Sequence, residues 1–321
     1  MDDIGPGRSW VSQQEDARAL PSESKPDGPA ERSALVLREL LTAPLESALY
    51  LVATPIGNLG DITLRALSVL ARADVLYCED TRHSRTLLVH YAITRPARAY
   101  FEHNAERERP QVLAQLAAGK SVAIISDAGT PLISDPGYKL VRDAIAAGCK
   151  VISLPGPSAL LAALTSAGLA TDAFLFAGFL PHRSKARQSR LAELKAVPAT
   201  LVFYEAPSRL ADSLADIGEV LGAREAAVAR ELTKLHEEVR RGTPAELAHW
   251  ASATPPKGEM VIVVGPPLAA AATDETIAAH LAPLLTAMSL SEAARTVAQE
   301  LGVTRARVYD LGLALKRDDA G

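Results

Sequence analysis

The chain has 321 residues, 48% of them hydrophobic and 22% charged, a length and balance suited to about two globular domains. A net charge of −4 excludes a large, uniformly basic nucleic-acid surface but leaves room for a local basic patch. The two cysteines, Cys78 and Cys149, have no partners at metal-ligand spacing, and no apolar run approaches the roughly 18 residues that span a bilayer.

Residues 1–47 begin "MDDIGPGRSW" and continue polar, without the apolar core of a secretory signal and with too many acidic residues for a transit peptide. They read as a disordered extension carrying one short helix in "ERSALVLRELL", and the chain reads as cytoplasmic with two small buried thiols. From Ala48 apolar runs alternate with helical segments. "ALYLVAT" is a buried strand, and Asp61 is the expected N-cap of a helix over "ITLRALSVLARA". "DVLYCED" is a second strand before the helix "HSRTLLVHY". "ARAYFEH" is a third, before a helix over "ERERPQVLAQLAAG" that Gly119 closes. "SVAIIS" and "KVISLPG" are the fourth and fifth strands, each followed by a helix, over "YKLVRDAIAAG" and "PSALLAALTSAG". Short apolar strands alternating with helices predict a parallel sheet covered on both faces, over residues 48–168.

The next stretch has a different rhythm. "AFLFAGFLP", "ATLVFYEAP", "EAAVARELT", "EEVRRG" and "GEMVIVVG" are strands that can pair as hairpins, with helices near 207–221 and over "PAELAHWA". A mixed-sheet α/β domain is expected over 169–267. "PPLAAAATDE" is a linker, and 268–321 form a linker and helical tail. Within it "SLSEAARTVAQELGVTRARVYDLGLALKR" has helix-turn-helix spacing, with a helix capped by Ser291, a turn at Gly302 and a second helix.

In an open parallel sheet, ligands bind outside the carboxyl ends of the strands. The loops there are "TPIGNLGD", "EDTRHS", "EHNAE", "SDAGTPLISDPG" and "PGPSA", all rich in Gly, Pro, Asp, Asn or Ser, whereas the opposite ends are plain. Gly and Pro punctuate any strand-to-helix turn, and Asp127 could merely cap a helix, but five such loops on one edge point to a site. None is a GxGxxG or a P-loop. The loops offer backbone amides and carbonyls with few cations, which suits a ligand of little net charge and suits a nucleoside triphosphate badly.

Seven motifs in order, "LYLVATPIGNLGDITLRALSVL", "EDTRHSRTLL", "ISDAGTPLISDPGYKLV", "LPGPSALLAAL", "FYEAPSRL", "ARELTKLHEEVRRG" and "KGEMVIVV", resemble the tetrapyrrole-methylase superfamily. They are most similar to its RsmI family, the branch that methylates the ribose 2'-hydroxyl of cytidine 1402 in 16S ribosomal RNA. The resemblance covers about 48–265 and extends to the helical tail, while the N-terminal extension has no counterpart. It implies a two-domain tetrapyrrole-methylase-like α/β fold, with a parallel N-terminal sheet, a mixed C-terminal sheet and a small helical tail. It also implies S-adenosyl-L-methionine in the cleft between the domains, a homodimer, and the 30S subunit as partner. The implied cofactor walls are Pro55, Gly57, Asp80, Asp127, Ala128, Gly129, Thr130, Pro155, Gly156, Pro157, Ser158, Glu205 and Met260. The glycines would let the backbone approach the ligand.

The implied reaction is a direct displacement in which the ribose oxygen attacks a methyl carbon already attached to a sulfonium leaving group, so no metal is required. It needs in-line alignment and a proton acceptor. Candidate acceptors are Glu79, Asp80, Asp127, Glu205, Glu231 and His236. "RELTK" is favoured, because Arg230, Glu231 and Lys234 put two cations and a carboxylate close together and a lysine could stabilise the developing alkoxide. Ordinary ion pairs at a strand end are the alternative. His83 and His103 read as idle loop histidines. For RNA, "HRSKARQSR" supplies His182, Arg183, Lys185, Arg187 and Arg190 for phosphate contacts. Aromatics are only 4% of the chain, which argues against extensive base stacking of the RRM kind. Two other readings compete. One is methylation of a tetrapyrrole carbon or a diphthamide precursor, against which stand "TPIGN" in place of a glycine-rich first loop and the basic cluster. The other is a DNA-binding regulator led by Arg305, Arg307, Lys316 and Arg317 of the tail, which leaves the five loops unexplained. Contact of the tail with RNA is favoured over DNA.

Overall fold

The computed structural model describes residues 28–134, 137–267, 273–301 and 303–318, with side chains to 315. The first 27 residues of the expected extension, Asp135 and Pro136 of the fourth loop, linker residues 268–272 and the turn at Gly302 lie outside them. Strands β1 (Leu49–Val52), β2 (Val75–Cys78), β3 (Ala97–Ala99), β4 (Val122–Ile125) and β5 (Val151–Leu154) form a parallel sheet in the order β3-β2-β4-β1-β5. β1 and β4, at the centre, are buried along their whole length, which is why their sequences are continuous apolar runs rather than alternating ones. Helices α2 (Leu64–Arg72), α3 (Thr81–His90), α4 (Ala105–Ala117), α5 (Tyr138–Ala146) and α6 (Ala159–Ala167) make the connections. One core packs Val69 and Leu70 of α2 on Tyr50 and Leu76, and the other packs Val112 of α4 and Leu140 of α5 on Leu51 and Tyr77.

Several local expectations are corrected. Residues 29–42 form a helix, α1 (Pro29–Thr42), that lies on α2, where its Leu40 carbonyl accepts Ser68 Oγ at 2.7 Å and Arg72 Nη1 at 2.8 Å. This part of the extension is ordered by contact with the domain. Asp61 does not cap α2; Asn58 caps a short 3-10 turn at Leu59–Asp61, and Thr63 Oγ1 accepts the Ala66 amide to start the helix. The third strand ends at Ala99 because Asn104 folds the chain back, its side chain accepting the Phe101 amide and donating to the Ala99 carbonyl. Cys149 is half-buried rather than buried.

The second sheet contains β6 (Phe174–Phe179), β7 (Thr200–Glu205), β8 (Ala226–Arg230), β9 (Glu238–Gly242) and β10 (Met260–Val264), in the order β6-β7-β10-β8-β9. Only β6 and β7 run parallel; β10 is antiparallel to both β7 and β8, and β8 to β9. Helices α7 (Ser184–Leu194), α8 (Leu210–Leu221) and α9 (Pro244–Ala253) cover one face, with Leu191, Leu214 and Leu247 against Phe203 and Ile262. The other face is covered by α6. Its Ala163, Leu164 and Ala167 pack with Val202, Ala229 and Val263, and Ile56 of the first loop joins the same cluster. The helix that follows β5 of the first sheet thus packs on the second sheet and, with Ile56 of the first loop in the same cluster, sets the carboxyl edge of the first against the face of the second.

The tail is a bundle of α10 (Asp274–Leu285), α11 (Leu290–Leu301) and α12 (Arg305–Asp318), with its own core of Ile277, Leu281, Ala293, Ala294, Val297 and Val308. α12 approaches α11 so closely at Gly312 that a Cβ there would sit 2.3 Å from Leu290 Cδ1. Ser289, not Ser291, caps α11, exchanging hydrogen bonds with Glu292. Among the described residues no helix is long and apolar enough to cross a membrane.

Candidate active site

A cavity of about 430 Å³ lies where the carboxyl edge of the first sheet meets the second. Its floor is made by loops stitched together through the backbone. Thr54 and Gly129 exchange hydrogen bonds in both directions, at 2.9 and 3.0 Å, and Thr54 Oγ1 donates to the Ser126 carbonyl. Asp127 Oδ1 accepts the Asp80 amide at 3.0 Å, tying the loop after β4 to the loop after β2. Gly129 has φ +76°, a left-handed conformation that L side chains resist. At Gly156 a Cβ would lie 2.8 Å from Ala53 Cβ, so the loop after β5 can rest on the end of β1 only because that position is glycine.

The walls combine Ile56, Asp127, Ala128, Gly129, Thr130, Ser158 and Ala159 from the first half with Phe179, Tyr204, Glu205, Ala206, Pro207 and Gly258 to Val261 from the second. Phe179 and Tyr204 meet edge to face with centroids 5.7 Å apart. Glu205 is a wall residue with no free capacity. Its carboxylate accepts the Ser213 hydroxyl, the Ala206 amide at 2.8 Å and Arg209 Nη2 at 2.9 Å. Glu79 is different: it faces the cavity, and burial, then the nearby Asp127 and Asp80 carboxylates, push its pKa above the ordinary carboxylate value. Its neighbour Asp80 is held down at about 2 by hydrogen bonds from the Arg82 side chain and amide. Two adjacent carboxyls are therefore driven in opposite directions.

Four of the five non-glycine residues with positive φ among the described residues border this region: Leu132 and Ser134 after β4, Glu231 and Thr233 after β8. Such conformations are found where the surrounding structure over-determines them, often at functional sites. The turn that holds Glu231 also carries Lys234. Its Nζ lies 2.8 Å from Glu231 Oε1 and 3.3 Å from Glu259 Oε2, and Glu231 Oε1 also accepts the Glu259 amide. The Lys234 hydrogen bond lowers the pKa of Glu231, which makes it a weak proton acceptor. Burial works against the Lys234 ammonium, but its carboxylate partners outweigh burial and raise its pKa. Two glycines make room for the pair. A Cβ on Gly57 would fall 2.4 Å from Lys234 Cγ, and one on Gly258 would fall 2.2 Å from Glu231 Oε1. The pair therefore spans from the second sheet to the first loop.

Of the residues expected to hold a cofactor, Asp127, Ala128, Gly129, Thr130, Ser158, Glu205 and Met260 line the cavity. Pro55, Gly57, Asp80, Pro155, Gly156 and Pro157 are in the same loops but are not among its walls. The segment Tyr204–Pro207 lines the cavity as expected, while the sequence reading missed Ile56, Phe179 and the Gly258–Glu259 pair; an aromatic ending an otherwise apolar edge strand was the available signal for Phe179. Arg230 does not turn into the cavity. It pairs with Glu238 at 2.8 Å and donates to the Lys257 carbonyl. His236, His83 and His103 are not part of the wall either.

The basic cluster on α7 needs a correction at Arg187. That side chain is 3% exposed, 2.6 Å from Asp216, and donates to the His182 carbonyl, so it supports α7 from within and has no reach to a phosphate. Arg190 pairs with Glu193 at 2.6 Å. Arg183 and Lys185 are exposed.

The family Tetrapyrrole (Corrin/Porphyrin) Methylases matches residues 48–248, and a second family, the RsmI C-terminal HTH domain, matches 270–316. A Mesorhizobium japonicum protein called Ribosomal RNA small subunit methyltransferase I is 56% identical over 280 residues, 87% of this chain and 95% of its own length. The protein of that name from Escherichia coli O157:H7 is 44% identical over 275 residues, 84% of this chain and 95% of its own. Among solved structures, a diphthine synthase superposes with a TM-score of 0.54 at 15% identity, covering 68% of this chain and 89% of its own. A cobalt precorrin-4 methyltransferase superposes with a TM-score of 0.52 at 18% identity, covering 68% and 95%. These two likenesses are of fold.

Proposed function

The chain belongs to the tetrapyrrole (corrin/porphyrin) methylase family, and from that premise we propose that it is an S-adenosylmethionine-dependent methyltransferase acting on the RNA of the small ribosomal subunit. The finer reading is methylation of the ribose 2'-hydroxyl of cytidine 1402 of 16S RNA of the small ribosomal subunit, by a cytoplasmic homodimer. The observation that carries the reading is the cavity between the sheets, and relatives named as methyltransferases of small-subunit ribosomal RNA, matched over nearly their whole length, support it.

The residues present fit the cofactor. Ile56, Phe179, Tyr204 and Val261 offer apolar and aromatic surface for an adenine, while the turn at Asp127–Thr130 offers backbone groups at close approach through Gly129. Asp127 offers a carboxylate to its cationic end. Bound there, S-adenosylmethionine supplies a methyl group on a sulfonium, so the transfer is a displacement by the ribose oxygen. The loops align the acceptor and exclude water. Of the wall carboxylates we assign the hydroxyl proton to Glu79, since Glu205 is held by three donors, Glu231 by Lys234, and Asp127 by the Asp80 amide and the cofactor's cationic end. Glu231 and Lys234 serve as positioning residues that hold the first loop against the turn after β8. The exposed Arg183 and Lys185 of the basic stretch offer phosphate contacts.

The test is to incubate the purified protein with radiolabelled S-adenosylmethionine and, in parallel, unmethylated 30S subunits, free 16S RNA and a tetrapyrrole. Label confined to one cytidine, with its 3' phosphodiester resistant to alkali, is the expected result. Label on the tetrapyrrole alone, or none on RNA, would overturn the reading.

A further inference from the structure

A second cavity, of about 480 Å³, opens on the same edge of the first sheet, between the start of α4 and the start of α5. Ser134 belongs to the walls of both cavities. Tyr138, at the first position of α5, stands 72% exposed on its rim, the most exposed of the exposed aromatic side chains among the described residues. Lys139 beside it and His103 opposite are exposed and form no ion pair with a described residue. Glu102 and Glu106 complete that side, and neither accepts a hydrogen bond from a described residue. Arg109 is not available, since Asp143 holds it at 3.0 Å.

This set suits neither an anion nor an apolar peptide: an aromatic face, a lysine and an imidazole at the rim and two unengaged carboxylates are the elements that read a nucleobase with its phosphate. Aromatic side chains stack unpaired bases, cations take the adjoining phosphate, and a carboxylate accepts from the exocyclic amine of cytosine, which uracil lacks. A nucleotide that leaves its stack can bring its ribose into an enclosed site and leave its base for a neighbouring one. We propose that the second cavity seats the base of the acceptor nucleotide, stacked on Tyr138 with its amine toward Glu102 and Glu106, so that its ribose lies past Ser134 at the mouth of the first cavity. The proposal rests on the RNA-methyltransferase reading above.

Two readouts test it. In methylation of small ribosomal subunits, Tyr138→Ala is expected to raise KM about tenfold, as loss of one stacked base implies, while Tyr138→Phe keeps the wild-type value. Calorimetry should show S-adenosylmethionine affinity unchanged in both. In a 16S fragment carrying the fluorescent cytidine analogue pyrrolocytosine at the acceptor position, emission should change on binding wild type and Tyr138→Phe but not Tyr138→Ala. With cytidine replaced by uridine, Glu102→Gln/Glu106→Gln should methylate better relative to cytidine by about tenfold. Wild-type KM and emission in Tyr138→Ala would overturn the proposal. Absence of methylation by the wild type would instead overturn the function on which it rests.

Discussion

Glu79 and Arg187 show how differently two charged residues can be used once they leave water. Glu79 faces the cavity with its pKa raised by burial and by two carboxylate neighbours. A raised carboxyl pKa means the folded chain binds that proton more tightly than the unfolded one. Its stabilising effect is therefore present below the unfolded value and lost as pH rises through the raised one. For catalysis the carboxylate form is needed, so the acidic limb of kcat/KM is expected to move above the ordinary carboxylate value. Glu79→Gln should lower kcat about 100-fold, remove that limb from the pH profile, and leave S-adenosylmethionine affinity within about threefold. An unchanged kcat would show that another group takes the proton. Arg187, by contrast, is structural. Asp216→Ala leaves a buried guanidinium without its carboxylate and should destabilise the fold by about 3–5 kcal/mol, read from urea unfolding. Little change would mean that the Pro181 and His182 carbonyls suffice. The difference between these residues was only half legible in the sequence. Glu79 sits in a loop whose chemistry shows in its neighbours, and Glu231 and Lys234 are close enough for an ion pair to be anticipated. The partner of Arg187 comes from another helix, 29 positions away, and a run such as "HRSKARQSR" does not show which of its cations turns inward.

At the scale of elements, what could be read was the alternation. Buried strands of the first sheet are continuous apolar runs, so their order along the chain and the loops at their carboxyl ends follow directly. Cap positions followed less well. Asp61, Thr63 and Asn58 all have capping side chains, and packing rather than residue type selects among them. The second sheet's contribution to the cavity was least legible, because Phe179 and Gly258 acquire their role only when α6 brings that sheet against the first. The loop after β4 carries the sharpest element-level prediction. Gly129 combines a left-handed backbone with a two-way pairing to Thr54, and its α-carbon faces Ile56 and the Pro157 carbonyl across the cavity floor. Gly129→Val opposes that backbone and brings a branched side chain where the ligand needs close approach. Calorimetry should show S-adenosylmethionine affinity reduced at least about tenfold, ~1.4 kcal/mol, with the circular dichroism of the fold retained. Wild-type affinity would remove the cofactor from this floor.

For the whole molecule, the tail is the part whose role is set by how it is attached. Its three helices bury their own core, and no residue of α10, α11 or α12 belongs to the walls of either cavity. A DNA reader is the easy inference from the helix-turn-helix spacing, but Arg305 and Arg307 of α12 are engaged by the other helices of the bundle. Arg305 donates to Ser291 of α11 at 2.7 Å, and Arg307 pairs with Asp274 of α10 at 2.6 Å. Both contacts are exposed. Exposed pairs of this kind contribute little to stability, so a guanidinium can exchange its partner for a phosphate at small penalty. A module that folds separately and can trade those contacts for phosphate fits a role in gripping RNA beside the acceptor nucleotide. Deleting residues 273–321 should then raise KM for small ribosomal subunits and weaken the salt dependence of RNA binding. S-adenosylmethionine affinity should stay near wild type, because the cavity loses none of its walls. Sedimentation should show the truncated chain keeping the oligomeric state of the full one. Full activity on subunits would make the tail dispensable. A change of oligomeric state would assign it to assembly instead.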